Sequence, residues 1–171
     1  MPSRTIPPNK LLLTTTSYIM HYTPQQVQKA VGIGQETLRY WKRALPPLAD
    51  HHGQSASFSF SDLVALKVVY LLVARSGMGV SFVSSFAEEL FEVCRAIAPH
   101  AISGHTALVI QLENNSVKRV ATGSSQGGNS LHVVVPLARC VDELVQSLRE
   151  NDEPDSQISL PLPLTAVFTK A

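Results

Sequence analysis

The stretch YTPQQVQKAVGIGQETLRYWKRAL, Tyr22 to Leu45, decides how this chain folds. Thr23 followed by Pro24 makes a helix start. The hydroxyl can accept a bond from an orphan amide, and proline at the first helical position lacks a donor that would go unpaired anyway. Gln26, three residues past Thr23, completes the spacing of a capping box. Val27, Ala30 and Val31 then fall at i, i+3 and i+4, one apolar stripe on a helix of about two turns. A helix that short cannot stand alone. Gly32-Ile33-Gly34 supplies two residues that tolerate positive φ around one apolar anchor, and Gln35 opens a second helix in which Leu38 and Trp41 share a face. Trp41 therefore reads as core. The opposite face offers Gln35, Glu36, Arg39, Tyr40, Lys42 and Arg43, side chains suited to phosphates and base edges. A capped helix, a glycine-flanked turn and a helix with one buried and one polar side together predict a helix-turn-helix.

Outward from this core, Leu45-Pro46-Pro47 ends the second helix, and Asp50 to Gln54 has turn composition. Ser55 to Phe60 alternates small polar and aromatic residues as a strand does, which places a wing here. Ser61 is expected to cap a third helix with Asp62 in its first turn; Leu63, Leu66, Val69, Tyr70 and Val73 recur at helical spacing as far as Arg75-Ser76-Gly77. That helix is apolar enough to be mostly buried.

These residues resemble the MerR-type winged helix-turn-helix transcriptional regulators. The matching pattern is Tyr22-Thr23 at the first helix, Gly32-Ile33 in the turn, Thr37-Leu38-Arg39-Tyr40-Trp41 in the second helix and Leu45-Pro46 after it. Phe58-Ser59-x-x-Asp62-Leu63 and then Gly77-Met78-Gly79-Val80-Ser81 follow in order. The resemblance covers roughly residues 22 to 85. It implies a recognition helix in the major groove, a wing against the flanking backbone and a homodimer on a pseudo-palindromic site. It also implies that Thr37, Arg39 and Tyr40 contact DNA mostly at phosphates, with Gln35, Glu36 and Lys42 best placed for base edges; Arg43 completes the expected DNA-binding set. The chain departs from the family in its wing. Where members usually carry an arginine just before the wing aromatic, Ser55, Ala56 and Ser57 stand here, and His51 and His52 are weak substitutes at neutral pH.

Val80, Val83, Phe86, Ala87, Leu90, Phe91, Cys94 and Ile97 recur with the helical period, so one helix of about five turns is expected to run to the vicinity of Pro99 as a dimerisation seam. Beyond it, Thr106–Leu112 and Val117–Ala121 flank the turn Glu113–Ser116 as a hairpin, and Leu131–Val135 supplies a third strand. Leu137, Val141, Leu144, Val145 and Leu148 mark an amphipathic helix reaching Glu150. Ile158 to Val167 could add an edge segment, with Pro161 and Pro163 excluding a central strand. The fold class expected is α+β: an N-terminal winged helix-turn-helix, a connecting dimerisation helix and a small C-terminal antiparallel sheet with one helix. The divisions are an N-terminal tail over 1–20, the winged domain over 21–80, the dimerisation or linker helix over 81–99, and an α+β dimerisation, partner or effector domain over 100–171.

With 171 residues, 44% hydrophobic and 16% charged, the chain can bury a core of ordinary size. Its formal net charge of +1 gives no basic footprint overall, so nucleic-acid affinity has to come from local clustering. Lys29, Arg39, Lys42 and Arg43 provide that cluster, interrupted only by Glu36, whereas most acids lie in the second half. Cys94 and Cys140 are far apart in sequence and suggest reduced thiols, so no disulfide framework is expected. Leu11-Leu12-Leu13 is far too short for a signal core or a membrane span. The glycine-rich run 123–130 lacks the Gly-Lys-Ser/Thr ending of a phosphate loop and reads as a connector. His100 and His105 are too sparse for a metal site, and no nucleophile elbow or carboxylate pair appears, so neither a cofactor, a bound metal nor an enzymatic reaction is expected.

Two functions stay open at this point. The first is a sequence-specific, homodimeric DNA-binding transcriptional regulator, a cytoplasmic bacterial protein associated with the nucleoid if it binds DNA, its partners being double-stranded DNA and its own copy. The second is a protein-interaction adaptor or antiactivator that keeps the fold with reduced DNA affinity, using the C-terminal region for another protein.

Overall fold

A computed structural model describes residues 21–49, 51, 57–97, 102, 104–121 and 131–151. The first two helices form as the sequence predicts: α1 spans Pro24–Val31 and α2 spans Gln35–Ala44. The Thr23–Gln26 capping box is complete, Thr23 Oγ1 accepting from Gln26 N–H at 3.3 Å and Gln26 Oε1 accepting from Thr23 N–H at 2.9 Å. Gly32 closes α1 in the left-handed region at φ 84°, and both its N–H and that of Ile33 bond back to the Gln28 carbonyl. A side chain at that φ would be strained, so glycine sets the sharp exit into α2. Val27, Ala30 and Val31 of α1 and Leu38 and Trp41 of α2 are all buried in one cluster.

Phe60–Tyr70 forms α3, which continues through a widened π turn, Leu71–Arg75. Eight of the eleven α3 residues are buried, which makes it the central helix of the molecule. Its cap differs from the expectation. Ser59, not Ser61, is the N-cap: its Oγ accepts from Asp62 N–H at 3.2 Å while Asp62 Oδ2 accepts from Ser59 N–H at 3.0 Å. The three-residue spacing from Ser59 to Asp62 allows this reciprocal bonding, and it places Phe60 as the first helical residue, so the strand-like run ends before Phe60. Of that run, Phe58 is buried and pairs in an isolated antiparallel bridge with Tyr22, closing the chain onto the entrance of α1. Residues 52–56, most of the expected wing, lie outside the described residues, as do the N-terminal tail over 1–20, the connector 123–130 and the segment after 151.

The continuous helix expected over residues 80–97 is two helices, α4 (Val80–Ser84) and α5 (Ala87–Arg95). Ser85 competes with the helical ladder at the break, and Ser84 ties it to α2. Ser84 Oγ donates to the Ala44 carbonyl at the end of α2 at 2.8 Å, Ser85 Oγ donates to the Phe82 carbonyl at 2.7 Å, and Phe86 leaves helical conformation at φ −125°, ψ 10°. Serine hydroxyls that bond neighbouring carbonyls compete with the helical ladder. Val83, Phe86, Ala87, Leu90, Phe91, Cys94 and Ile97 are buried in this chain's own core, so the apolar stripe is used within the protomer.

The C-terminal part is a three-stranded antiparallel sheet, β1 (Thr106–Gln111), β2 (Ser116–Ala121) and β3 (His132–Pro136), with β1 in the centre. Register places Leu108 opposite Arg119 and Val135, and Ile110 opposite Val117 and Val133, so one sheet face carries the residues that join the core. The long helix α6 (Leu137–Asn151) follows directly on β3 and packs against α1, α3 and β1. Lys67 of α3, nearly buried, reaches Glu143 of α6 at 3.2 Å, and Arg139 holds the same carboxylate at 3.2 Å. Burial pushes the Glu143 carboxyl up, but the hydrogen bonds and charges of Lys67 and Arg139 together hold it below the ordinary carboxylate range. A single hydrophobic cluster thus runs from α1 through the sheet to α6, which makes the molecule α+β.

Candidate nucleic-acid interface

The polar side of α2 and the start of α1 face each other across an open groove of about 1030 Å³. From α2 it is lined by Gln35, Glu36, Arg39, Lys42 and Arg43, positions that recur at helical spacing on one side. Leu38 contributes its edge from beneath. From α1 come Thr23, Pro24, Gln25 and Gln28, and His51 closes the far end. Thr37 and Tyr40 are exposed on α2 but lie off the groove wall, Tyr40 at 47% exposure. Five of the seven residues expected to meet DNA therefore share one concavity, and two flank it.

The α1 residues Gln25 and Gln28 are not among those the sequence points to. Their signal was available: Gln25 and Gln28 lie three apart on the face opposite Val27, Ala30 and Val31. What no single helix pattern carries is that the α1 entrance folds back against α2 to form one wall.

The charges in the groove are not equivalent. Arg39 Nη1 donates to Glu36 Oε1 at 2.8 Å, and both side chains are largely exposed, at 62% and 80%. Lys42 lies with its ammonium 5.3 Å from the centre of the Phe58 ring, and partial burial lowers its pKa from the ordinary lysine value. His51 stacks on the same ring, with centroids 4.7 Å apart, and its Nε2 lies 3.8 Å from Asp62 Oδ2. The buried Phe58 ring is therefore contacted by both a groove cation and a groove imidazole. His51, expected as a weak stand-in for a wing cation, is instead packed in, its side chain only 16% exposed.

Asp62 ties this wall to the core. Its Oδ2 accepts from Ser59 N–H and, at 2.8 Å, from Ser59 Oγ, while its Oδ1 accepts from Arg95 Nε at 3.2 Å and Nη2 at 3.0 Å. The α3 cap, the α5 arginine and the histidine of the groove meet at one buried carboxylate.

The described elements are thus a helix-turn-helix with a polar groove along its second helix and His51 at its end. Residues 22–89 match the family model described as MerR HTH family regulatory protein. This segment is a MerR-type domain. MerR-type domains are DNA-binding modules of transcription regulation, and the family is one of regulators rather than enzymes. No curated protein matches the chain. The match ends within α5, so the sheet and α6 lie beyond the MerR-type segment.

Other chemistry is sparse. Among the described residues no group of three or more His, Cys, Asp and Glu side chains is placed to hold a metal ion. Cys94 and Cys140 are both buried, and burial, then the neighbouring Cys140 and Asp62, pushes the Cys94 thiol up to about 12; burial, then Glu143, pushes Cys140 to about 11. No helix among the described residues is long and apolar enough to cross a membrane.

Proposed function

We propose that the protein is a sequence-specific DNA-binding transcriptional regulator that acts as a homodimer. The observation that carries this reading is the groove itself, which brings Gln35, Glu36, Arg39, Lys42 and Arg43 onto one wall facing Gln25 and Gln28. In the proposed complex α2 enters the major groove. Gln35, Glu36 and Lys42 reach base edges, Arg39 and Arg43 take phosphates, and Thr37 and Tyr40 meet the backbone beside the groove. Gln25 and Gln28 add amide donors to the flanking phosphates.

The two-fold contact needs a surface other than the stripe along residues 80–97, because Val83, Phe86, Leu90, Phe91 and Cys94 are already buried within one chain. Dimerisation by the region beyond residue 100 meets that requirement, and sedimentation of the full chain tests it: a monomer at binding concentrations removes the homodimer from the proposal.

The second reading, a protein-interaction adaptor, is favoured by three features. Arg39 is already matched by Glu36, Lys42 lies over Phe58, and the residues before the wing aromatic, Ser55, Ala56 and Ser57, carry no cation. Selection of bound duplexes from fragmented genomic DNA separates the two. An enriched palindrome supports the regulator; no enrichment at low salt supports the adaptor.

A further inference from the structure

The groove that faces DNA in this reading contains an acid. Glu36 sits in the first turn of α2 with its side chain 80% exposed, on the same wall as Arg39, Lys42 and Arg43. A carboxylate turned toward a polyanion weakens binding to every duplex, and here it also engages the Arg39 guanidinium at 2.8 Å, withholding a cation from phosphate. Residues at the start of a recognition helix are those that reach base edges. The approach to that start is clear, since Gly34, the residue before Gln35, carries no side chain and a Cβ there would meet nothing within 4 Å.

An ionised carboxylate only accepts. In the major groove its match is the exocyclic amino group of cytosine; adenine also offers an amino group, but its neighbouring N7 is an acceptor that repels the second carboxylate oxygen. We propose that Glu36 is the specificity-determining residue of the groove: it reads a cytosine N4 amino group in each half-site, and its charge disfavours every duplex that lacks one there. The proposal rests on the DNA-binding reading above and adds to it the identity of a base and the reason for an acid in a DNA-facing wall. At a matched site the carboxylate finds its donor and Arg39 turns to a phosphate. At a mismatched site the Glu36–Arg39 pair stays closed, so both the repulsion and the lost cation count against binding.

The test is selection from a random duplex library with the full-length wild type, Glu36→Ala and Glu36→Gln, each checked by thermal melting. The wild type is expected to enrich a motif with one cytosine per half-site. That position becomes degenerate in Glu36→Ala and shifts to adenine in Glu36→Gln, because an amide offers a donor and an acceptor matched to adenine N6 and N7. On duplexes of unrelated sequence, Glu36→Ala binds about fivefold tighter at about 0.15 M salt, with a log–log salt slope steeper by about 0.9, the effect of one more phosphate contact from the released Arg39. A purely structural Glu36, serving the helix terminus, lowers the melting temperature and leaves the motif alone. If the wild type enriches a motif and both variants enrich the same one at every position, the proposal is overturned. If the wild type enriches nothing, the DNA-binding reading fails and the proposal falls with it.

Discussion

Replacing Asp62 by alanine probes whether the groove wall and the core are joined as the structure shows. Asp62 is 5% exposed and does three things at once: it completes the Ser59 capping box, it receives two bonds from Arg95, and it stands 3.8 Å from His51. Loss of the cap costs about 1 kcal/mol. Loss of the charged hydrogen bonds from Arg95 costs about 2 kcal/mol, less than breaking a fully buried pair because Arg95 is 46% exposed and can turn to water. The sum is about 3 kcal/mol, and for a chain of this size that lowers Tm by roughly 6–12 °C. Urea unfolding followed by tryptophan fluorescence measures it, Trp41 being the single tryptophan and buried. The urea midpoint should fall with an unchanged slope. Arg95→Ala alone should cost about 1–2 kcal/mol, and the double variant should show a coupling of about 1–2 kcal/mol. A cost for Asp62→Ala within about 0.5 kcal/mol of zero, or no coupling to Arg95, would refute the idea that this carboxylate joins the α3 cap to α5.

Four further outcomes follow from individual side chains. Arg39→Ala should weaken binding to a matched duplex about fivefold at about 0.15 M salt and flatten the salt slope there by about 0.9, while Tm barely moves because its ion pair is exposed; an unchanged slope on a matched duplex removes Arg39 from the phosphate contacts. Cys94 and Cys140, with thiols raised to about 12 and about 11, should resist alkylation in the folded protein at pH 8 and both react in denaturant. Their raised folded values also mean that the stability they contribute is complete below the unfolded thiol value of 9.0 and is lost as pH climbs from there toward about 12, which urea midpoints across pH 8–11 can follow. Glu143 is the opposite case: its folded carboxyl lies below the ordinary 4.5, so its contribution is complete above that value and is lost as pH falls through the lower folded one. Glu143→Gln should flatten that acid limb, and an identical limb in the variant would show that the Lys67 contact contributes nothing.

The elements that could be read from sequence are those governed by rules spanning three or four residues. The Thr23–Gln26 box, the shared face of Leu38 and Trp41, and the hairpin of β1 and β2 each follow from local spacing, and the fold reproduces them. The α3 cap lies two residues before Ser61 because both Ser59 and Ser61 have capping side chains, and only the reciprocal bond to Asp62 distinguishes them. The run over residues 80–97 misled for a different reason. Apolar periodicity reports which side chains are buried, and Phe86 still points into the core although its backbone has left the helix. In the groove, α2 was legible because one helix face carries its pattern; Gln25, Gln28 and the packed state of His51 were not, because they depend on how separate segments fold back on one another.

That folding back also determines what the region beyond the MerR-type segment does physically. The buried stripe of α1, Val27, Ala30 and Val31, lies in the cluster that α6 closes with Leu137, Cys140 and Leu144, and the Lys67–Glu143 pair fastens α6 to the central helix α3. Helix α1 has only eight residues and is too short to persist without a partner. Cutting the chain after α5 would uncover α1 and α3 on the side away from the groove and leave Lys67, with a side chain only 10% exposed, facing a lost partner. The groove residues on α1 and α2 would then lose the support that fixes their spacing. A fragment of the matched segment alone that failed to bind DNA would therefore say little about the groove, whereas the full chain carrying Arg39→Ala or Glu36→Ala changes the groove wall and leaves the core behind it intact.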